Sequence, residues 1–303
     1  MFTLPDQVIK HNRVLMIGCG GGYDIYVGLP FYFALVEKGI DVDLANFSFT
    51  SIETLKTFPN IGADVYKVDT SEVPKSFFPE AHLSRHILKP VYAIAYEGGV
   101  IRLEKSYQVL IKILKPTCII LVDGGCDSLM FGREDSMGTW VEDSMNIYVA
   151  NKLIQNYNFE CYLLVGGATA DFYEGIKETD LLNNIQVLRS QGNLIWEMVL
   201  DCSKQQQTQK YVDIFLDSAP YHSIVNTSIV AAVQGIRGFY SPNYLSERIK
   251  NITLNIADLT ATCWLFDING VANNISYLHL LEGIDDSDDI EDIVDSWREK
   301  ICI

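Results

Sequence analysis

The sequence predicts an α/β fold, a Rossmann-like, mainly parallel sheet with helices on both faces. Three observations predict it: short unbroken apolar runs of strand length, helical segments alternating with them, and glycine-rich turns that close three of the runs. The first run, Arg13 to Ile17, leads into Gly18-Cys19-Gly20-Gly21-Gly22-Tyr23-Asp24. A helix follows from about Gly28 to Lys38, with Pro30 in its first turn, where a missing N–H is tolerated, and Gly39 closing it. It is apolar almost all round, as befits a helix laid on a sheet. Asp41 to Phe47 reads as a second strand and completes a βαβ unit. From about Ser48 to Pro90 the prolines Pro59, Pro74, Pro79 and Pro90 indicate loops and short helices. A helix from about Arg102 to Leu114 leads to the strand Cys118 to Val122, which ends in Asp123-Gly124-Gly125-Cys126-Asp127. A helix from about Ser144 to Asn156 leads to the strand Cys161 to Val165, which ends in Gly166-Gly167-Ala168-Thr169-Ala170-Asp171. The remainder reads as mostly helical to about Gly235, with late strands near Ile252–Ala257 and Cys263–Phe266. The organisation predicted is one domain over 1–283, with room for a more helical sub-lobe at about 175–250, then an acidic helix or tail over 284–303.

Composition narrows the function classes. The chain has 303 residues, 48% of them hydrophobic, and a formal net charge of −16. That balance repels phosphate backbones and argues against nucleic acid as a partner. The acidic crowding at Asp285, Asp286, Asp288, Asp289, Glu291, Asp292 and Asp295 reads first as a solvated helix face. A docking segment for a basic partner is the sharper alternative. The seven cysteines are scattered, odd in number and without a C-x-x-C pair, and the N-terminus has no apolar signal core. Reduced thiols in a cytoplasm are the expectation. No apolar run approaches the roughly 20 residues of a bilayer span, so no membrane partner is expected. The composition permits a monomer or a homo-oligomer.

The site is predicted from the three turns together. Each puts glycines after a strand and an aspartate a few residues on: Asp24, Asp127 and Asp171. In an open parallel sheet such turns emerge on one edge, where ligands bind. Gly20, Gly21, Gly22, Gly124, Gly125, Gly166 and Gly167 would let the backbone approach a phosphate, aided by nearby helix N-termini. Asp24, Asp127 and Asp171 would hold a divalent metal, Mg or Mn. Taken singly, each turn is equally well a tight turn with an aspartate N-cap. The polar loop from Phe131 to Asp143 supplies Glu134 and Asp143, which together with Asp127 are the catalytic candidates; Glu142 and Asp143 equally favour the start of the next helix. His222, Ser223, Asn226 and Thr227 stand near a helix start, where they either cap it or close the pocket; His222 and Asn226 count as ligand-binding candidates. His82 and His86 are four apart and fit a short amphipathic helix better than a metal site. Other signatures fail. Tyr23 stands at the sixth place of a dinucleotide fingerprint, and the second strand ends near Asn46 rather than in a ribose-binding acid. There is no G-K-[ST], no zinc-type Cys/His cluster and no G-x-S-x-G.

GCGGGYDIYVGLPFYFALVEKGIDV, FFPEAHLS, VYAIAYEGGVIRL, LVDGGCDSLMFGRED with GTWVEDS, and LVGGATAD follow one another in the order and approximate spacing of the domain-of-unknown-function family 1152, which the chain resembles over roughly residues 10 to 240. The resemblance implies a first signature at Gly20, Gly21, Gly22 and Asp24 and a second at Asp123, Gly124, Gly125, Asp127 and Glu134. Tyr23, Cys126 and Trp140-Val141 depart from the family's usual residues, which bears on ligand size. The resemblance implies no activity.

The function expected is binding of a nucleotide-like or phosphorylated small molecule, with metal-assisted hydrolysis or transfer. Two alternatives stand beside it: a non-catalytic nucleotide sensor whose acidic C-terminus contacts a partner, and a divergent Rossmann methyltransferase or dehydrogenase.

Overall fold

The computed structural model describes residues 2–74, 76–218, 223–242 and 253–301. Eleven strands are formed among them. In chain order they are β1 (Arg13–Gly18), β2 (Asp41–Ser48), β3 (Asn60–Gly62), β4 (Val65–Val68), β5 (Val91–Ala95), β6 (Cys118–Gly124), β7 (Glu160–Gly166), β8 (Leu194–Val199), β9 (Gly238–Tyr240), β10 (Leu254–Ile256) and β11 (Thr262–Asp267). Nine make one sheet in the order β3-β4-β5-β2-β1-β6-β7-β11-β8, and β9 pairs with β10 in a separate ribbon. The block β5-β2-β1-β6-β7 is parallel throughout. The flanks are not: β4 runs antiparallel to β5, and β11 lies antiparallel between β7 and β8. The fold is therefore α/β with a mainly parallel sheet, as the strand–helix alternation predicts.

Strand alternation puts successive side chains on opposite faces, and both faces are buried. Leu15 and Ile17 of β1 join Ile119 and Leu121 of β6 in one layer. Val14 and Met16 join Cys118, Ile120 and Val122 in the other. Helices Val100–Leu114, Val141–Leu153 and Glu178–Ser190 cover the first face through residues such as Leu103, Ile147 and Leu188. Helices Leu29–Glu37, Gln206–Asp217 and Ile224–Val233 cover the second through Phe31, Phe215 and Val230. The helices between residues 178 and 233 thus pack on the two faces of the main sheet. The C-terminal helix Asp288–Ile301 seats Ile290 and Val294 in the first layer and turns Asp289, Glu291, Asp292 and Asp295 to solvent.

Four main-sheet strands differ from the sequence reading. β3 and β4 lie within the stretch from Ser48 to Pro90 read as loops and short helices, β5 follows Pro90 directly, and β8 interrupts the mostly helical stretch before Gly235. Of the late strands, only the second enters the main sheet, as β11; the first, β10, joins the ribbon. His82 and His86 share the helix Pro79–Ile87 but no site: His82 is buried, while His86 and Arg85 contact Asp217. Among the described residues no helix is long and apolar enough to cross a membrane. The six described cysteines are free thiols.

Chain direction reverses about β1. The chain lays β2 and then β5 on one side of it, then crosses to β6 and β7 on the other. The crevice outside the carboxyl ends of β1 and β6 is the topological switch point, where doubly wound sheets bind ligands.

Candidate functional site

β1 runs out at Gly18, and Cys19 stays tied to β6 by its N–H to the carbonyl of Val122 at 2.9 Å. Gly20, Gly21 and Gly22 then turn the chain into the short helix Asp24–Val27. Gly21 has φ +90°, a conformation that side chains resist, and its missing side chain leaves room for the Phe49 ring. Gly20 serves differently. A Cβ there would stand 2.8 Å from an Asp143 carboxylate oxygen, and one on Gly124 would stand 2.8 Å from an oxygen of Asp24. Glycine at these points lets carboxylates close on the backbone. Accordingly the backbones of Gly20 and Gly124 lie close to the Asp24 carboxylate and partly offset the rise in its pKa.

The turns of β1, β6 and β7 and the start of helix Val141–Leu153 surround one cavity of about 300 Å³. Five aspartates line it: Asp24, Asp123, Asp127, Asp143 and Asp171. Glu174 stands with them, and no lysine, arginine or histidine lines it among the described residues. Asp123, only 1% exposed, accepts the Ser128 hydroxyl. Asp127 accepts the Ser128 N–H at 3.0 Å, the Thr139 N–H at 3.1 Å and the Thr139 hydroxyl at 3.0 Å. Asp143 accepts the Cys19 thiol at 3.0 Å. Asp171 accepts the backbone N–H of Cys126. One oxygen from each of Asp24, Asp123 and Asp143 fall within 4.8 Å of one another.

Burial is the first cause that raises the pKa of Asp24, Asp123, Asp143 and Asp171 well above the ordinary carboxylate value, and repulsion from neighbouring aspartates, chiefly Asp123 and Asp127, is the next. Asp127 is raised too, by burial, although the Thr139 and Ser128 bonds oppose it. Burial with the neighbouring carboxylates also pushes the Cys19 thiol up, which makes it a poor nucleophile. The opposite wall is of another kind. Ser223 caps the helix Ile224–Val233 through the Asn226 N–H, and Ser223, Ile224 and Val225 face the cavity. The start of a helix offers N–H donors and a partial positive charge to an anion.

The structure brings Asp24, Asp127 and Asp171 to one cavity, with Asp143, Gly20, Gly21, Gly22 and Gly124. It groups the metal candidates differently from the sequence reading. The closest set is Asp24, Asp123 and Asp143, while Asp127 is held by Thr139 of its own loop and Asp171 by the Cys126 N–H of the turn after β6. Glu134 is not in the cavity. Its carboxylate accepts the N–H groups of Phe131, Gly132 and Arg133 at 2.8–2.9 Å and the Asn184 side chain at 2.6 Å, so it braces its own loop and is no general base for this site. Gly125 backs onto the Asp171 carboxylate. Gly166 and Gly167 are packing positions, against Cys263 and Val27 and against Val225 and Ile229. Asn226 is wholly buried beneath the cavity, where it bonds the Tyr23 carbonyl and the Tyr211 hydroxyl. His222 lies outside the described residues.

Sequence reasoning gave Asp123 no role beyond the resemblance, yet a signal was present. It shares the strand face of Ile119 and Leu121 by alternation and stands where the strand opens to the switch point. Phe49, Phe77, Tyr173 and Glu174 carried no such signal; the first two come from irregular segments and the last two from the short 3-10 helix Ala168–Glu174, while Thr139 belongs to the polar loop from Phe131 to Asp143.

A family model described as Protein of unknown function (DUF1152) matches residues 15–303. Comparisons with curated proteins and with solved structures gave no match.

Proposed function

We propose that this chain, which belongs to the DUF1152 family, binds a phosphorylated small molecule through a divalent cation, Mg2+ or Mn2+, and promotes its hydrolysis or group transfer. One observation carries the reading: two buried carboxylates, Asp123 and Asp143, and the half-buried Asp24, whose oxygens fall within 4.8 Å, in a cavity lined by no basic side chain among the described residues. Such a cluster repels itself, and a hard cation with oxygen ligands is the ordinary means of balancing it. Asp24, Asp123 and Asp143 would hold the ion. It would supply charge neutralisation for a phosphoryl group that the cavity itself would repel.

The protein's own groups divide the remaining work. The backbone N–H groups of the Gly20–Gly22 turn and of the helix start at Ile224 orient phosphate oxygens. Asp127 lines the same cavity outside the closest trio, and its raised pKa suits it to take a proton from an attacking water or hydroxyl. Thr139 fixes the Asp127 carboxylate through two hydrogen bonds.

A second reading takes the same acidity as recognition of an organic cation, such as a sulfonium methyl donor, on the doubly wound sheet. Thermal-shift assays with S-adenosylmethionine, NAD and ADP-ribose, each with and without Mg2+, separate the two by mass action. The decisive experiment is calorimetric titration of Mn2+ into the wild type and Asp123→Asn. Saturable binding that the variant loses is the expected result. No binding to the wild type, or equal binding to both, rejects the metal reading. Binding without turnover of any phosphorylated compound in the panel would assign the protein to sensing.

A further inference from the structure

A second hollow of about 400 Å³ opens at the carboxyl ends of β2 and β5, lined by Ser48, Phe49, Thr50, Ser51, Ile52, Ala95, Tyr96 and Glu97. It shares Phe49 with the acidic cavity. Phe49 is 45% exposed, rests against Gly21 on one side and meets Tyr96 edge-on at 5.5 Å on the other. The two hollows differ in chemistry. The first is lined by six carboxylates, with Tyr23, Phe49, Phe77 and Tyr173 at its walls, whereas the second has two aromatic rings, the hydroxyls of Ser48, Thr50 and Ser51, and a single charge, Glu97.

We propose that the ligand is a nucleoside phosphate, with its base against Phe49 and Tyr96 and its ribose hydroxyls facing Glu97. The inference rests on the metal–phosphate reading of the acidic cavity and extends it to the substrate class. A molecule that fills both hollows needs an anionic end for the cation and a neutral, flat, polar-edged end for the rings. A nucleotide has both. The sequence at the end of β2 offers Asn46 where a ribose-binding acid is expected, and Asn46 is committed to the Gly22 carbonyl and Glu80. Glu97 supplies a carboxylate one strand further out, at the end of β5, where Arg102 steadies it at 3.2 Å. Phe49 gives the base a face on which to stack, an interaction that tolerates any base.

The test is calorimetric titration of inorganic pyrophosphate, ADP, GDP and UDP in the presence of Mg2+, and of adenosine without metal, into the wild type and Phe49→Ala. The half-exposed position of Phe49 makes the substitution compatible with folding, and Tyr96→Leu provides a second variant. At least one nucleoside diphosphate should bind roughly tenfold or more tightly than pyrophosphate, and Phe49→Ala should erase that advantage. Glu97→Gln should narrow the preference for the ribonucleotide over its 2′-deoxy form. Pyrophosphate binding as well as every nucleoside diphosphate, or an advantage that survives in both aromatic variants, would overturn the proposal. Adenosine binding that requires Phe49, alongside absent Mn2+ and pyrophosphate binding, would uphold the nucleoside hollow and reject the metal reading.

Discussion

Each of the central carboxylates carries a cost that is visible before any ligand is considered. Asp123 is held protonated more readily in the folded chain than in the unfolded one, by burial and then by the charge of Asp127. For an acid with a raised folded pKa, stability is fully present below the ordinary value and is lost as pH rises through the raised one. Asp123→Asn keeps an acceptor for Ser128 and removes the charge. It should therefore raise the metal-free protein's stability at neutral pH by about 1 kcal/mol, measured by urea unfolding, while abolishing Mn2+ binding. Gly20→Ala tests the geometry rather than the charge. Its methyl would stand 2.8 Å from an Asp143 oxygen, so the trio should open and Mn2+ affinity should fall at least roughly tenfold, by titration. At this scale the sequence was a good guide wherever a glycine or aspartate directly followed a strand. It misled at Glu134, Gly166 and Gly167, whose types fit a site but whose partners are the loop amides and neighbouring apolar side chains. Nothing in composition or spacing distinguishes a carboxylate that faces a cavity from one that ties up its own loop.

Among elements, helix Val141–Leu153 bears most on the site, because it contributes Asp143 to the cavity and Glu142 to a hollow that it lines together with Asp288 and Glu291 of the C-terminal helix. Burial first, then the charges of Asp127 and Glu291, raise the Glu142 pKa to about 7 from an ordinary 4.5. Stability tied to its protonated form should be lost between pH 4.5 and about 7. Glu142→Gln should thus stabilise the protein at pH 8 and change little at pH 4, in urea unfolding at the two values. Helix and strand identity was legible where apolar residues ran unbroken, as in β1, β6 and β7, which carry four of the five cavity aspartates at or just beyond their ends. β5 escaped notice because it follows Pro90 directly, and proline there reads as loop. β8 escaped because its residues are half-exposed and include Glu197, so no buried-strand pattern is present.

For the whole molecule, the cation and the fold are coupled by mass action. If Mn2+ binds only the folded chain, an excess of 100-fold over its Kd should add about 2.7 kcal/mol to the unfolding free energy, and none in Asp123→Asn. Urea unfolding with and without Mn2+ reads this directly. Truncation after Gly283 should collapse stability as well, since Ile290 and Val294 would leave the core and the carbonyls of Ile284 and Asp285 would no longer accept the Ile101 and Gly99 N–H groups. The order of assembly follows from the placement of β11. β7 and β8 are neighbours in sequence but are joined only through a strand that emerges from the ribosome more than sixty residues after β8. Until Thr262–Asp267 is synthesised, β7 presents a bare apolar edge and β8 has no partner in the sheet. The nascent chain must carry that open edge from the completion of β7 at Gly166 to that of β11 at Asp267, about a third of its 303 residues, which makes this flank the natural client surface for a chaperone and the first place for misassembly when synthesis stalls.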